Sequence, residues 1–404
     1  MSLTAAMLAR LREEMAHLGL FAYVLPRTDP HQSEYLAPHW ETLAWLTGFT
    51  GSAGTAVVTA DFAGVWTDSR YFLQAETQLE GSGYTLVKLG VPHTPEFIDW
   101  LAENCPEGSR VGIDFALISV SRMSQLQERL EPLGITLEDT DELAARLWES
   151  RPPLPTAPVR LFPVERAGLS RDDKLGLLRE DMAQQKVDYV LLSALDEIAW
   201  LANLRGADIP YNPVAVAYAL IGQETATLFV APDKLTADMR AALTADGGWH
   251  TLPYEQFMPH LAGLPAGSRV HLDPARTAYA LRQALPEGVQ VRKGLNLTAP
   301  RKARKHVVEI EHIRRTMIKD GVAMVRFLYW LSRNIGEIRI TELSAEAKLE
   351  AFRREQPGYV GPSFRTIAGY QGHGAIVHYA ASEESNAELR PEGIFLLDSG
   401  GQYE

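Results

Sequence analysis

The sequence of 404 residues is poor in cysteine, in long apolar runs and in positive charge. Its single cysteine, Cys105, excludes an intramolecular disulfide, and no second cysteine is present to share a metal ion. No window approaches the ~18 consecutive apolar residues of a membrane span, and the first helix carries acids instead of a signal peptide's apolar core. Acidic residues outnumber basic ones by 51 to 39, which argues against a nucleic-acid-binding surface. These absences predict a cytoplasmic globular protein that binds neither nucleic acid nor membrane.

Two stretches mark candidate domain boundaries in a chain whose 46% apolar and 22% charged residues are those of ordinary globular proteins. The proline-rich stretch Arg151–Pro158 cannot form a helix or a central strand, because proline fixes φ and lacks the amide donor. A second boundary falls around Leu297–Arg304, where the basic run Arg301–Lys305 is interpreted as a solvated linker ahead of a helix. We therefore predict three domains, at residues 1–158, 159–299 and 300–404.

The first two of these regions share an internal repeat. Each copy predicts an amphipathic helix, a short apolar strand, a second helix that carries a tryptophan, and further strands. Three blocks recur in the same order: Leu11–Ala16 as Leu178–Ala183, Tyr23–Leu25 as Tyr189–Leu191, and Ala44–Leu46 as Ala199–Leu201. The last spacing is shorter, so the first copy carries an insertion between Arg27 and Trp40. The order of the blocks favours two duplicated α/β domains over chance patterning. Their later strands are expected at Thr55–Thr59, Val65–Thr67, Val214–Ile221 and Thr227–Val230.

The third region predicts an α+β domain. Apolar or small residues recur every three or four positions from Ile310 to Leu331, which is the spacing of one face of a long helix. A second helix is expected to begin at Thr341–Ser344 and to continue to about Glu355. Three strand-like segments follow: Ser363–Ala368, Ala375–Tyr379 and Gly393–Leu397.

Two residues of the third region are candidates for chemistry. The predicted strand places His378 on the same face as Ile376 and Ala380, where its imidazole could bind a substrate oxygen or relay a proton. A core or surface histidine is the alternative. Asp398 ends an apolar strand, and burying its carboxylate is costly unless a metal ion or hydrogen-bond donors neutralise the charge. An aspartate that caps the turn through Ser399 is the alternative, and one carboxylate does not make a two-metal centre.

Charged residues of the first two regions each have a structural alternative. Arg70 follows an apolar strand, and its guanidinium suits a peptide carboxylate or carbonyl. A salt bridge with Asp68 or Glu76 explains Arg70 at least as well. Two acids that precede an apolar helix are interpreted as capping residues: Asp196 and Glu197. Two histidines in an expected loop are interpreted as surface residues: His31 and His39.

Six blocks carry a family resemblance over essentially the whole chain: Asp29–Tyr35, Gly48–Ala56, Trp66–Ala75, Leu195–Gly206, Gly374–Tyr379 and Leu397–Tyr403. Together they resemble aminopeptidase P of the long, three-domain kind, a metallopeptidase with the pita-bread fold. The resemblance implies two tandem creatinase-like α/β domains followed by the start of an α+β pita-bread domain. It agrees with the internal repeat.

The resemblance also implies a function and residue roles. Family members remove the N-terminal residue from peptides whose second residue is proline. They use two metal ions, usually manganese, bridged by a hydroxide that attacks the scissile carbonyl. By position, Asp398 matches the first metal-ligand Asp, His378 a substrate-binding and catalytic His, and Arg70 an Arg of the N-terminal domain that contacts substrate. Members are commonly homodimers.

The sequence departs from the family pattern after Asp398. The family's second Asp, a His and two Glu ligands are absent from the six residues that remain, up to Glu404. We therefore expect a truncated, inactive chain that retains no manganese by itself. Its segment after Gly358 is expected to pack poorly or to be held by a partner chain. Two alternatives stay open: a non-catalytic binding or dimerisation module, and a proline dipeptidase or creatinase-like hydrolase, which the duplication disfavours.

Overall fold

The computed structural model describes residues 2–404, and the chain divides into two compact units. The first unit holds the residues up to Phe162 together with Leu169–Ile209 and Pro213–Arg304. The second unit holds Pro163–Gly168, Pro210–Asn212 and Lys305–Glu404. Both copies of the repeat therefore lie in the first unit.

The first copy forms a six-stranded sheet with helices packed against it. Its elements are α1 (Leu3–Leu18), β1 (Ala22–Pro26), α2 (Thr42–Thr47), β2 (Thr55–Thr59), β3 (Ala63–Thr67), α3 (Phe72–Gln78), β4 (Thr85–Lys88), α4 (Glu96–Asn104), β5 (Arg110–Ile113), α5 (Val120–Leu130), β6 (Thr136–Asp139) and α6 (Leu143–Arg146). The strand order is β4-β3-β2-β1-β5-β6, with β1 antiparallel to β2 and parallel to β5. Helix α1 begins at the side-chain cap of Ser2 and ends at Gly19, whose φ of 67° favours glycine.

The second copy repeats this arrangement. The elements of residues 160–303 are β7 (Arg160–Leu161), α7 (Val164–Ala167), α8 (Arg171–Gln184), β8 (Tyr189–Leu192), α9 (Leu195–Leu201), β9 (Leu204–Arg205), β10 (Ala217–Gly222), β11 (Ala226–Val230), α10 (Ala237–Ala245), β12 (Trp249–Leu252), α11 (Phe257–Ala262), β13 (Arg269–Leu272), α12 (Tyr279–Gln283), β14 (Gln290–Lys293) and α13 (Thr298–Ala303). Six of the strands form a sheet in the order β12-β11-β10-β8-β13-β14.

The two sheets match strand for strand, which confirms the predicted duplication of an α/β fold. Strand β8 is antiparallel to β10 and parallel to β13, as β1 is to β2 and β5. The predicted insertion is also present, because a long segment separates β1 from α2 whereas two residues separate β8 from α9. Most of the buried residues of both sheets are apolar, as expected for strands covered by helices.

The insertion of the first copy folds onto the second copy, so the interpretation of His31 as a surface residue was wrong. His31 is 1% exposed. Its Nδ1 donates to the Ser193 carbonyl at 2.9 Å, and its Nε2 accepts from the Tyr254 hydroxyl at 2.9 Å. Burial lowers the pKa of His31, which keeps the ring neutral. His39 is half-buried and lies 2.6 Å from the Pro152 carbonyl.

The segments at the two predicted boundaries differ in character. Residues 151–158 contain neither helix nor strand, as their prolines predict. The basic run is not a solvated linker, because part of it forms α13 and makes ion pairs with the second copy. Arg301 makes a bidentate pair with Asp181 at 2.8 and 2.9 Å, and Lys302 pairs with Asp196.

The predicted position of Asp196 and Glu197 at the start of a helix is confirmed, but neither residue is the N-cap. Both lie in the first turn of α9, but Ala194 occupies the N-cap position and makes no side-chain cap. Glu197 is buried and accepts a hydrogen bond from the Thr298 hydroxyl. Burial raises its pKa, although hydrogen bonds from Thr298 and Asn296 act in the opposite direction.

The second unit contains two long helices and three short ladders. Its further elements are α14 (Val307–Asn334), β15 (Ile340–Thr341), α15 (Glu342–Arg354), β16 (Tyr359–Pro362), β17 (Ile367–Tyr370), β18 (Glu388–Leu389), β19 (Phe395–Asp398) and β20 (Gly401–Tyr403). The strands pair as β15 with β18, β16 with β20, and β17 with β19. Capping boxes at His306 and Thr341 start the two helices, which confirms both helix predictions.

Helix α14 leaves much apolar surface exposed in this chain. Within the helix only Ala323 and Phe327 are fully buried, whereas Met317 and Val325 are 65% and 66% exposed. Further along, Ile394 is 77% exposed. An uncovered apolar surface of this kind marks a region that packs against something else. None of the helices within residues 2–404 combines the length and apolar character that a membrane span requires.

Candidate active site

Asp398 lies at the last position of β19, as predicted, but its carboxylate is exposed. Its backbone pairs with Ile367 of β17 in an antiparallel ladder. The argument from a buried carboxylate was therefore wrong. The Ser399 hydroxyl of the following turn is buried without a hydrogen-bond partner. The following turn packs tightly, because a Cβ on Gly400 would lie 2.2 Å from the Ser363 hydroxyl oxygen.

His378 does not lie on a strand, which contradicts the prediction of one at Ala375–Tyr379. After β17 the chain forms a 3-10 helix at Gln371–Ala375 and then turns. This segment folds back on the ladder, since a Cβ on Gly369 would meet the backbone of Gly374 at 2.9 Å. His378 itself has a φ of 60° and is exposed. Strand alternation therefore does not decide which way its imidazole faces.

A third residue of this region, Glu342, was missed by sequence analysis. It is the first residue of α15 and is fully buried at 0% exposure. Its Oε1 accepts from the Tyr370 amide at 2.7 Å and from His373 Nδ1 at 2.9 Å. Its Oε2 accepts from the Tyr379 hydroxyl at 2.8 Å and from the Ala387 amide at 3.0 Å. In the sequence, Glu342 is an acid in the first turn of a helix, where the helix dipole favours an acid. Its four donors lie at least 28 residues away in the sequence, so no local pattern indicates them.

The four donors keep Glu342 ionised. Burial alone raises the pKa of a carboxyl group, but the hydrogen bonds from Ala387, Tyr370, His373 and Tyr379 outweigh it and lower the pKa of Glu342. Glu342 also raises the pKa of Tyr379, which reaches about 12 with burial as the larger cause. The Tyr379 hydroxyl therefore stays protonated and acts as a donor.

An ion pair with a buried arginine joins α14 to α15 and reaches β20 through a tyrosine. Arg353 is 2% exposed and makes a bidentate pair with Asp320 at 2.8 and 3.1 Å. The Tyr403 hydroxyl donates to the same carboxylate at 2.9 Å. This cluster therefore ties α14 and α15 to β20.

Arg70 lies in the first unit, and its structural alternative is present. It pairs with Asp68 in a bidentate arrangement, with Nε and Nη2 at 2.8 and 2.7 Å from the two carboxylate oxygens. Hydrogen bonding from Arg70 lowers the pKa of Asp68 and holds the fork in place. The other candidate partner, Glu76, pairs with Lys88. The substrate role of Arg70 stays a prediction.

The described residues do not fit a two-metal centre by themselves. Two ions need bridging carboxylates and several further ligands. Within residues 2–404, no group of three or more His, Cys, Asp or Glu side chains is arranged to hold an ion. The role of Asp398 as a metal ligand stays a prediction.

Comparison with known proteins defines the class of the chain. Residues 7–147 and 150–309 each match a family model described as the creatinase/prolidase N-terminal domain. Residues 311–404 match metallopeptidase family M24. The duplicated α/β sheets are thus creatinase-like domains, and the second unit belongs to a metallopeptidase domain.

Relatives that match the whole chain narrow this class. The chain is 35% identical to a probable Xaa-Pro aminopeptidase P of Pyricularia oryzae, over 99% of this chain and 67% of that protein. It is 38% identical to a protein of the same name from Laccaria bicolor, over 99% of this chain and 63% of that protein. The crystal structure of an X-prolyl aminopeptidase from Caenorhabditis elegans, described as a cytosolic enzyme with a di-nuclear active site, superimposes with a TM-score of 0.93. This match has 33% identity and covers 100% of this chain and 68% of the other.

The chain belongs to the Xaa-Pro aminopeptidase P family. It spans about two thirds of the length of these relatives, with shares of 67%, 63% and 68%.

Proposed function

We propose that this chain acts as part of an Xaa-Pro aminopeptidase, a hydrolase that removes the N-terminal residue from peptides with proline in the second position. The observation that carries the proposal is similarity across the whole chain, with a TM-score of 0.93 to an X-prolyl aminopeptidase. A non-catalytic binding module and a related proline dipeptidase are not favoured, because the relatives that match 99% of the chain are named as Xaa-Pro aminopeptidases.

Asp398 is proposed as a ligand of one of two divalent ions, with manganese as the proposed metal. Its exposure at the end of β19 supports this role, since a ligand carboxylate must be reachable. Such ions polarise a carbonyl and activate water when bound. His378, exposed in the turn beside β17, is proposed to bind the substrate at the scissile bond. Arg70, fixed by Asp68, is proposed to contact the substrate from the first domain.

Two further properties are proposed from the relatives. A cytoplasmic location is supported by the description of the nematode protein as cytosolic. A homodimer is proposed for the complete gene product, and the exposed apolar face of α14 is consistent with further packing. The domain limits 1–158, 159–299 and 300–404 are likewise retained as proposals.

The test uses the complete gene product that contains this sequence. Asp398→Asn is compared with Glu392→Gln, an exposed acid six residues earlier. With manganese supplied, we expect Asp398→Asn to abolish release of the N-terminal residue from an Xaa-Pro peptide and to lower the bound metal, whereas Glu392→Gln behaves as wild type. Full activity and metal content in Asp398→Asn would contradict the assignment.

A further inference from the structure

The segment that carries His378 is attached at both ends to one buried carboxylate. The Tyr370 amide, at the start of the segment, and the Tyr379 hydroxyl, at its end, both donate to Glu342. His373, in between, donates to the same group. Three of the four hydrogen bonds of Glu342 therefore come from residues 370–379, a segment that begins at the last residue of β17 and ends just after the turn.

The attachment is reinforced from within the segment. The rings of His373 and Tyr379 stack with centroids 4.6 Å apart and planes 24° from parallel. The Tyr379 hydroxyl also lies 2.9 Å from the Ser385 hydroxyl. These contacts leave Tyr379 buried at 7% exposure, directly beside the exposed His378.

The backbone of His378 needs such an attachment. A φ of 60° is uncommon for a residue other than glycine, and it persists where the surroundings impose it. Tyr379, the next residue, is the one held by Glu342. The residue next to His378 is therefore held by a carboxylate that lies 36 positions earlier in the sequence.

We propose that Glu342 is a positioning residue for His378, acting through Tyr379 and His373. The inference rests on the proposed function, in which His378 binds the substrate. All four neighbours of Glu342 are donors, so both oxygens must accept. A glutamine places an amide nitrogen, itself a donor, on one side, where two donors then lose their acceptor.

The test compares three variants in the complete gene product. Glu342→Gln removes acceptors from two donors, and Tyr379→Phe removes one donor while leaving the ionised carboxylate with three. Glu346→Gln is the matched control, because Glu346 lies one turn further along α15 and makes no hydrogen bond in the described chain. A displaced binding group costs about 10- to 100-fold in turnover. We expect losses of that order in kcat for Glu342→Gln, a smaller loss for Tyr379→Phe and none for Glu346→Gln.

A second readout separates positioning from mere loss of folding. In protein labelled with ¹³C on histidine, the His378 imidazole signal is assigned by its absence in His378→Gln. We expect this signal to shift in Glu342→Gln and Tyr379→Phe and to stay in place in Glu346→Gln. If Glu342→Gln fails to fold, Tyr379→Phe decides the matter, since it keeps the carboxylate.

The outcomes distinguish the two proposals. If the wild type cleaves no Xaa-Pro peptide, the proposed function fails, while the imidazole signal still tests the positioning. A shifted signal in Tyr379→Phe would then support the positioning role. Wild-type kcat and an unshifted His378 signal in both variants would overturn it.

Discussion

Replacing Asp114 by asparagine should stabilise the first domain at alkaline pH and not at acidic pH. Asp114 follows β5 and is 3% exposed. Its Oδ1 accepts from the Ala116 amide at 2.9 Å, whereas its Oδ2 has no partner. Burial, followed by the nearby acids Glu142, Asp139 and Asp141, raises its pKa to about 7.

The internal repeat supplies a matched control. Asp273 follows β13, the counterpart of β5, and its Oδ1 accepts from the Ala275 amide at 2.9 Å in the same way. Its Oδ2, however, accepts from the Asn296 amide at 3.2 Å. Asparagine has only one side-chain oxygen, so Asp273→Asn leaves one of these two backbone amides without its acceptor. This variant should therefore destabilise the domain at every pH.

The magnitude follows from linkage between proton binding and folding. The folded-state pKa of about 7 lies above the ordinary value near 4, so the carboxyl group favours folding fully below pH ~4 and loses this contribution as the pH rises through 7. Between pH 5 and pH 8 the loss has an upper bound of about 3 kcal/mol, because ~1.4 kcal/mol accrues for each of about two pH units. Relaxation around the charge reduces this to about 1–3 kcal/mol. Asparagine does not titrate, so the Asp114→Asn variant does not lose this stability as the pH rises.

Native-state hydrogen exchange of the β5 amides measures this free energy locally, which avoids assuming two-state unfolding of a multidomain chain. We expect the difference between Asp114→Asn and wild type to become more favourable to the variant by about 1–3 kcal/mol between pH 5 and pH 8. An equal difference at both pH values would show that Asp114 ionises normally and would refute the reasoning.

Two further predictions concern buried ionisable groups. Arg353→Met leaves the Asp320 carboxylate without its cation and should destabilise the second unit by about 2–4 kcal/mol. Arg354→Met breaks an exposed pair and should cost under about 0.5 kcal/mol. Hydrogen exchange in α14 and α15 compares the two variants, and equal effects would contradict the stabilising role of the Arg353–Asp320 pair. Because burial lowers the folded-state pKa of His31, its contribution to stability is present above pH ~6.5 and lost as the pH falls from there. The melting temperature should therefore fall less between pH 7.5 and 5.5 in His31→Gln than in wild type, and identical slopes would count against a neutral His31.

Sequence analysis predicted well the features that are determined by residues close together in the sequence. Helix and strand periodicity repeats in the two copies, and short blocks such as Tyr23–Leu25 and Tyr189–Leu191 fall on equivalent central strands. Helix starts were predicted because caps such as Thr341 act within one turn. The end of β19 at Asp398 was predicted because an apolar run stops there.

The errors arose where distant residues decide the outcome. His31 looked like a loop residue, and its burial depends on Ser193 and Tyr254 in the other copy. The apolar triplet before His378 looked like a strand, yet it has no partner strand, and Glu342 holds the segment in a turn. Neither the contacts of His31 nor those of Glu342 produce a periodic pattern in the neighbouring sequence from which they could be predicted.

The measurement that tests the central claim most directly is a comparison of two peptides that differ at one position. The complete gene product, loaded with manganese, is incubated with a peptide carrying proline in second place and with the same peptide carrying alanine there, and the products are identified by mass spectrometry. Membership of the Xaa-Pro aminopeptidase P family predicts release of a single N-terminal residue from the proline peptide alone. Cleavage of both peptides at equal rates, or of neither peptide, would contradict the proposed Xaa-Pro aminopeptidase activity.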